Sequence, residues 1–297
     1  MDTMTTFISA FVGIVALIGL GATFVPVYAR WRAYQQSAYL HIELPARLER
    51  AVGSRLVARE RGAIIGALAV GGAAVLGFAT GAFGDPEPGL TTLFIVGAVF
   101  AGVGIGTAIA ALTGKKEVPS DRPRVARSGA ATVADYIAPI ERIGARVAVV
   151  IVVSVAVGLA VAGSSTDGPL FSVAFFAAAA VLTLVLFEIA SRRIVGASQP
   201  AGSTAELVWD DAIRASVVRD LVTAPIALAV YGTIIGVFGL ADTGAGAAAY
   251  VGIGAVVAGL VVTLVASAIS RPRRYFLRRL WPDLRWSDTA DTATDAA

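Results

Sequence analysis

The strongest constraint in this chain is the separation of its basic residues from its long apolar segments. All 24 lysines and arginines fall within four stretches, at 30–61, 115–146, 192–219 and 271–285. Seven apolar segments lie between or beside them, at about 6–28, 62–83, 90–112, 147–163, 170–191, 222–240 and 247–270. A helix of roughly 20 apolar residues spans the hydrocarbon layer of a bilayer. The sequence therefore predicts an all-α integral membrane bundle of seven transmembrane helices, forming a single domain over residues 1–288.

The position of the basic stretches predicts the orientation of the chain. Basic residues next to membrane spans are retained in the cytoplasm, and the short turns at 84–89, 164–169 and 241–246 contain none. The N-terminus is therefore expected outside and the C-terminus inside, in a multi-pass protein of a bacterial plasma membrane. A basic cytoplasmic face suits a lipid bilayer with anionic headgroups, and it requires no nucleic-acid partner. Residues 289–297 are small, polar and acidic, and are predicted to be a disordered tail.

Composition excludes several kinds of chemistry. The chain is 57% hydrophobic, has no cysteine and has one histidine, His41. Disulfides, Cys-based metal sites and multi-histidine metal sites are therefore excluded. The run from Gly102 to Gly106 superficially resembles a dinucleotide fingerprint, but it lies inside an apolar span with no predicted strand before it. We therefore predict no cofactor and no metal site.

Short turns predict that the second to seventh spans form three antiparallel hairpins. The three units share one orientation, unlike the inverted repeats of many secondary transporters. Glycines at four-residue spacing, among them Gly62 with Gly66 and Gly102 with Gly106, predict close helix packing within the bundle. A pore or substrate path along these glycine faces is the alternative.

The basic segments are predicted to be partly helical. In residues 45–61, Leu48, Val52 and Leu56 recur every four residues among arginines, which predicts an amphipathic helix on the headgroups leading into the second span. Before the sixth span, Ser203 and Glu206 have the spacing of a capping box, so a helix is expected to begin there.

One group of residues is a candidate contact site for a partner. Asp210 and Asp211 follow the predicted helix start, where the helix dipole favours acids, and a metal site would need more acids than these two. The residues predicted to contact a partner or lipid are Arg47, Arg50, Arg55, Arg59, Trp209, Asp210 and Asp211.

Glu188 is the one acid within an apolar segment, which makes it a candidate intramembrane polar site. It lies four residues before Arg192, so an interfacial i,i+4 ion pair is expected. An ion or proton site is the alternative.

A membrane-surface enzyme is a further hypothesis. It would use His41, Glu43, Asp135, Asp210 and Asp211. The hypothesis requires these side chains to converge within about 3–5 Å of one substrate atom.

Three basic-side stretches together carry a resemblance. They are residues 127–139, which contain Asp135 and Tyr136, residues 192–200, and residues 210–215. They resemble a group of uncharacterised polytopic membrane proteins of actinobacteria. The resemblance implies an actinobacterial plasma-membrane protein, and because the group has no established activity it implies no catalytic residue.

The sequence favours a non-enzymatic membrane subunit or accessory protein with a basic cytoplasmic face. Its polar groups lie in the connecting segments, while its spans are nearly free of them. The alternative is a small-solute transporter or export permease. A polar cavity reaching mid-membrane would favour the transporter, and a tightly packed bundle would count against it.

The predicted orientation can be tested by labelling, because the native chain contains no cysteine. The variant Asp167→Cys is expected to react with an impermeant thiol reagent added outside intact cells. The variant Ser198→Cys is expected to react only after the cells are opened. The reverse pattern would overturn the orientation.

Overall fold

The computed structural model describes residues 3–83, 88–113, 130–161, 169–199, 201–242 and 275–282 of the chain. The elements within these residues are α-helices. They are α1 (Thr3–Ala22), α2 (Pro26–Leu40), α3 (Ala46–Ala79), α4 (Pro88–Thr113), α5 (Val133–Tyr136), α6 (Pro139–Val161), α7 (Pro169–Gly196), α8 (Thr204–Asp242) and α9 (Tyr275–Leu280).

Five of these helices are long and apolar enough to cross a membrane: α3, α4, α6, α7 and α8. A sixth span results if α1 and α2, which meet at a bend of 96°, are counted as one. The prediction of an all-α chain with several membrane spans is therefore confirmed for the described residues, and the second to sixth predicted spans each correspond to one helix. The seventh predicted span, 247–270, and the tail at 289–297 lie outside the described residues, so the count of seven and the orientation stay predictions.

Two helices are much longer than a membrane is thick. Helix α3 has 34 residues and α8 has 39, which correspond to ~51 Å and ~58 Å at 1.5 Å per residue. The hydrocarbon layer takes up ~30 Å of that length. The additional turns carry the arginines of residues 47–61 and 214–219. We call the end of the bundle that they form the basic end.

The first predicted span, 6–28, does not run to its expected end. Helix α1 stops at Ala22 because Pro26 holds the preceding Val25 in extended backbone, with φ −87° and ψ 121°. Arg61 of α3 secures the bend: its Nη2 donates to the carbonyl oxygen of Thr23 at 2.9 Å, and its guanidinium lies 4.0 Å from the ring centroid of Phe24. The bend turns α2 away from the direction of α1.

The amphipathic helix predicted for residues 45–61 exists, but its expected position is wrong. It is the first part of α3, and its apolar stripe is buried within the protein instead of resting on headgroups. Leu48, Val52 and Leu56 share a core cluster with Trp209 and Ile213 of α8. The basic end is thus a packed extension of the bundle.

Glycine faces let α3 and α4 cross with their backbones in contact. A Cβ on Gly66 would collide with the carbonyl oxygen of Gly102, and a Cβ on Gly106 would collide with that of Gly62. The predicted packing role of these four glycines is confirmed. Helix α8 packs against α4, α6 and α7.

The end of the bundle opposite the basic end is filled by aromatic rings. Phe94 of α4 is 1% exposed and lies at the centre of this cluster. Its ring centroid is 4.3 Å from that of Phe175 and 5.2 Å from that of Phe78. Offset and edge-on ring pairs of this kind stabilise a core beyond the area they bury.

Replacing Gly66 with alanine should destabilise the protein by about 1–3 kcal/mol, because the new methyl group would press the α3 backbone away from α4. Gly72→Ala on the same helix is the matched control, since nothing lies within 4 Å of its Cβ position. The control should change stability by at most about 1 kcal/mol. Reversible unfolding of the detergent-solubilised chain measures both, and equal effects would contradict the proposed helix contact.

Candidate functional site

Two adjacent carboxylates lie inside the basic end. Asp210 is 7% exposed and Asp211 is fully buried. They are held on α8, whose start matches the predicted capping box: the amide of Glu206 donates to Ser203 Oγ at 3.3 Å. The Glu206 carboxylate reaches one residue further than expected and accepts from the amide of Gly202 at 2.7 Å.

Asp210 is paired with two arginines. Its Oδ1 accepts from Nη2 of Arg55 on α3 at 2.7 Å, and its Oδ2 accepts from Nε of Arg214, one helical turn further along α8, at 2.9 Å. Gln199 adds an amide donor to Oδ2 at 3.0 Å. Because the Arg214 side chain is 4% exposed, this part of the network is shielded from solvent and its electrostatic interactions are strengthened.

Asp211 accepts hydrogen bonds from neutral donors in separate parts of the chain. Its Oδ1 accepts from the hydroxyl of Tyr136 and from Nε2 of Gln199, each at 2.7 Å. Its Oδ2 accepts from the indole Nε1 of Trp281 at 2.9 Å. Tyr136 ends α5, and Trp281 follows α9, so Asp211 joins two short helices to α8. We call the group formed by Asp210, Asp211, Arg214 and Gln199 the carboxylate centre.

Arg214 also closes the end of α7. Its Nη1 donates to the carbonyl oxygen of Val195 at 3.0 Å, and its Nη2 donates to those of Ala197 and Ser198 at 2.9 and 3.1 Å. A helix ends with carbonyl groups that lack partners within the helix and carry partial negative charge. The buried guanidinium satisfies both these carbonyls and Asp210.

Trp209 fixes α8 to the segment between α2 and α3. It is 2% exposed, and its indole Nε1 donates to the carbonyl oxygen of Glu43 at 3.1 Å. The predicted contact residues Trp209, Asp210 and Asp211 therefore all lie inside the basic end. Each carboxylate oxygen of Asp210 and Asp211 already accepts a hydrogen bond from within the chain. The network that these residues form therefore holds helices together.

The four predicted contact arginines all lie on α3 but have different surroundings. Arg47 and Arg50 are exposed, and Arg47 donates to Ser203 Oγ at 3.0 Å. Arg55 faces the carboxylate centre, and Arg59 pairs with Asp220 at 2.8 Å. Their contact with a partner or with lipid stays a prediction.

Glu188 forms the expected pair with Arg192, at 3.7 Å. It also binds Arg146 of α6, a partner 42 residues away that spacing along the sequence did not indicate. The carboxylate thus links α6 to α7 at the basic end, which fits the interfacial ion pair, and the ion or proton site stays the alternative.

The residues that the enzyme hypothesis would use differ in their exposure to solvent. His41 and Glu43 are exposed, whereas Asp211 is fully buried. His41 caps the C-terminal end of α2 in the left-handed conformation, at φ 53°, which is a structural role. Asp135 lies 3.6 Å from Arg279. Among the described residues, no group of three or more His, Cys, Asp or Glu side chains is arranged to hold a metal ion.

Sequence reasoning missed three members of the network. Gln199, Tyr136 and Trp281 are separated from Asp211 by 12, 75 and 70 residues. Their polar atoms carry no charge, and none lies at a spacing that a helix would bring together with Asp211. Tyr136 and Gln199 lie in two of the stretches that carry the resemblance, whereas Trp281 lies in the last basic stretch, where no residue was singled out.

No protein family, curated protein or solved structure matches this chain. Its class therefore rests on the fold: five long apolar helices fit a multi-pass helical membrane protein. The resemblance to polytopic membrane proteins of actinobacteria stays a prediction.

Tyr136→Phe should cost about 1.5–3 kcal/mol of unfolding free energy, because it removes a hydrogen bond to a buried carboxylate and leaves the ring in place. Tyr34→Phe is the matched control: its hydroxyl donates to Glu49 at 3.3 Å in an exposed position, and its loss should cost less than about 0.5 kcal/mol. Unfolding of both variants in detergent measures the difference. Equal, small effects would mean that the carboxylate centre does not hold the basic end together.

Proposed function

We propose that this chain is a multi-pass plasma-membrane protein that acts as a non-enzymatic subunit or accessory protein, with its basic end in the cytoplasm. One observation carries this proposal. Most ion pairs of the described residues join different helices at the basic end, while buried apolar side chains pack through the middle and the opposite end of the bundle.

The packing of the bundle argues against the transporter alternative. A path for a polar solute needs polar groups and free volume at mid-membrane. Gly66 and Gly102 bring α3 and α4 into backbone contact, and beyond that crossing Phe94, Phe175 and Phe176 fill the interior. A cavity of about 480 Å³ lies between α1, α3 and α4, but its lining is mostly apolar, with Thr6 and Ser9 as its polar residues. The described residues therefore offer few polar groups along such a path.

The surface offered to a partner is the exposed side of the first turns of α3. Arg47 and Arg50 are exposed there, whereas Leu48 and Val52 on the other side of the same turns are buried. The buried side fixes the direction in which the arginines project. Because arginine binds carboxylates through a planar fork of donors, we expect an acidic protein surface as the partner.

Native co-purification tests the accessory role. The full chain, extracted from its own membrane in mild detergent, is expected to retain a stoichiometric partner. The double variant Arg47→Ala/Arg50→Ala should lose most of this partner. Arg192→Ala/Arg193→Ala is the matched control, because it removes two exposed arginines from another helix at the same end.

A chain that purifies alone, or whose partner is lost equally from both double variants, would contradict this role. Solute flux into proteoliposomes made from the lone chain would then support the transporter.

A further inference from the structure

A second polar site at the basic end lies apart from the carboxylate centre. It is a cavity of about 510 Å³ between α2, α3, α8 and α9, a volume within the range of small-molecule sites. Its polar lining includes Arg32, Gln35, Arg59, Ser216, Arg219 and Asp220. Three guanidinium groups and one carboxylate therefore face the same space.

The three arginines come from three different helices. Arg32 lies on α2, Arg59 on α3 and Arg219 on α8. Arg59 pairs with Asp220 at 2.8 Å. Burial raises the pKa of Asp220, and the charges of Arg59, Arg219 and Arg32 oppose that shift. The arginines therefore favour a negative charge in the cavity against the opposing effect of burial.

Two of the arginines are held in place by neighbouring carboxylates, and one of these two also by Gln35 of the cavity lining. Arg32 donates through Nε to Glu60 and through Nη1 to Gln35, both at 2.9 Å. Arg219 donates through Nε to Glu141 at 3.2 Å. The guanidinium groups are therefore already positioned before any ligand arrives.

The cavity keeps guanidinium donors for a ligand. Arg59 is held by Ser216, which accepts from its Nη1 at 2.5 Å, and by its pair with Asp220. Within the described residues, Nη2 of Arg32 and Nε of Arg59 make no hydrogen bond. Fixed guanidinium groups with remaining donors are suited to phosphate oxygens.

Helix α2 has the features of a helix that lies at the membrane surface. It leaves α1 at 96°, and it exposes Val27, Trp31 and Tyr34 along one side, at 72%, 49% and 53%. Apolar and aromatic residues on one face of a short helix with basic residues are typical of a helix lying in the interface. In that position the arginines of the cavity would lie at the depth of lipid phosphates.

We propose that the cavity formed by Arg32, Arg59 and Arg219 binds a phosphate-bearing anion, and that its source is the headgroup of an anionic phospholipid. In the structure Asp220 pairs with Arg59, so it competes with the incoming phosphate for the same guanidinium. Removing the negative charge of Asp220 should therefore strengthen the binding of phosphate in the cavity. This site is independent of the partner surface at Arg47 and Arg50.

The test uses the purified full chain in detergent, with phosphatidylglycerol as the probe and phosphatidylcholine as the comparison without net charge. Native mass spectrometry measures the bound lipid. Asp220→Asn should bind phosphatidylglycerol more tightly than the native chain, and Arg59→Gln should bind it about tenfold more weakly, the loss expected for one charge-assisted hydrogen bond. The double variant Arg59→Gln/Asp220→Asn keeps the net charge and should lose the gain of Asp220→Asn.

Arg30→Gln is the matched control, because it removes one arginine from the same helix, α2, outside the cavity. Its binding should equal that of the native chain. Three results would overturn the proposal: equal weakening by Arg30→Gln and Arg59→Gln, equal binding of both lipids, or weaker binding by Asp220→Asn.

Inorganic phosphate distinguishes the two sources of the anion. If it does not displace phosphatidylglycerol at millimolar concentration, the lipid headgroup is the ligand. If it displaces the lipid from the native chain, and does so more readily from Asp220→Asn, the cavity recognises phosphate itself and a soluble phosphate compound is the source.

Discussion

Charge is excluded from the hydrocarbon of a membrane unless it is paired, and the polar architecture of this protein follows from that constraint. The ion pairs of the described residues lie at the basic end, where α3 and α8 extend beyond the apolar part of the bundle. The centre of this arrangement is a fully buried carboxylate, Asp211. It is stable there because Tyr136, Gln199 and Trp281 supply donors from three other segments. The burial of one carboxylate thus fixes where those segments lie.

The two long helices serve the membrane and the basic end at once. Helix α3 crosses α4 at a glycine contact and also presents Arg55 to Asp210. Helix α8 packs among α4, α6 and α7 and carries both carboxylates near its start. Each is one helix, so the basic end and the membrane part of the bundle share these two elements. The proposed accessory role rests on the position of the ion pairs at the basic end and on the apolar packing of the rest of the bundle.

Local features of the fold were predictable where a short stretch of sequence contains both interacting groups. The capping contact of Ser203 with Glu206, the pair of Glu188 with Arg192 and the bounds of the third span all belong to this kind. Two expectations were wrong for different reasons. The first span ends early because Pro26 holds Val25 in extended backbone, which is a local cause, and Arg61 of α3 secures the bend. The apolar stripe at the start of α3 is buried against α8, a contact that comes from far along the chain.

The sequence by itself determined the class of this protein and the end at which its polar chemistry lies. Apolar runs long enough to cross a bilayer leave few alternatives to helices, and 24 basic residues confined to four stretches place the charge beside them. The tertiary structure alone decided which charges of different helices meet. Arg55 and Asp210 are 155 residues apart, and Arg32, Arg59 and Arg219 line one cavity from three helices. The physical reason is that hydropathy and helix capping act over one or a few turns, whereas the carboxylate centre and the cavity depend on how separate helices pack.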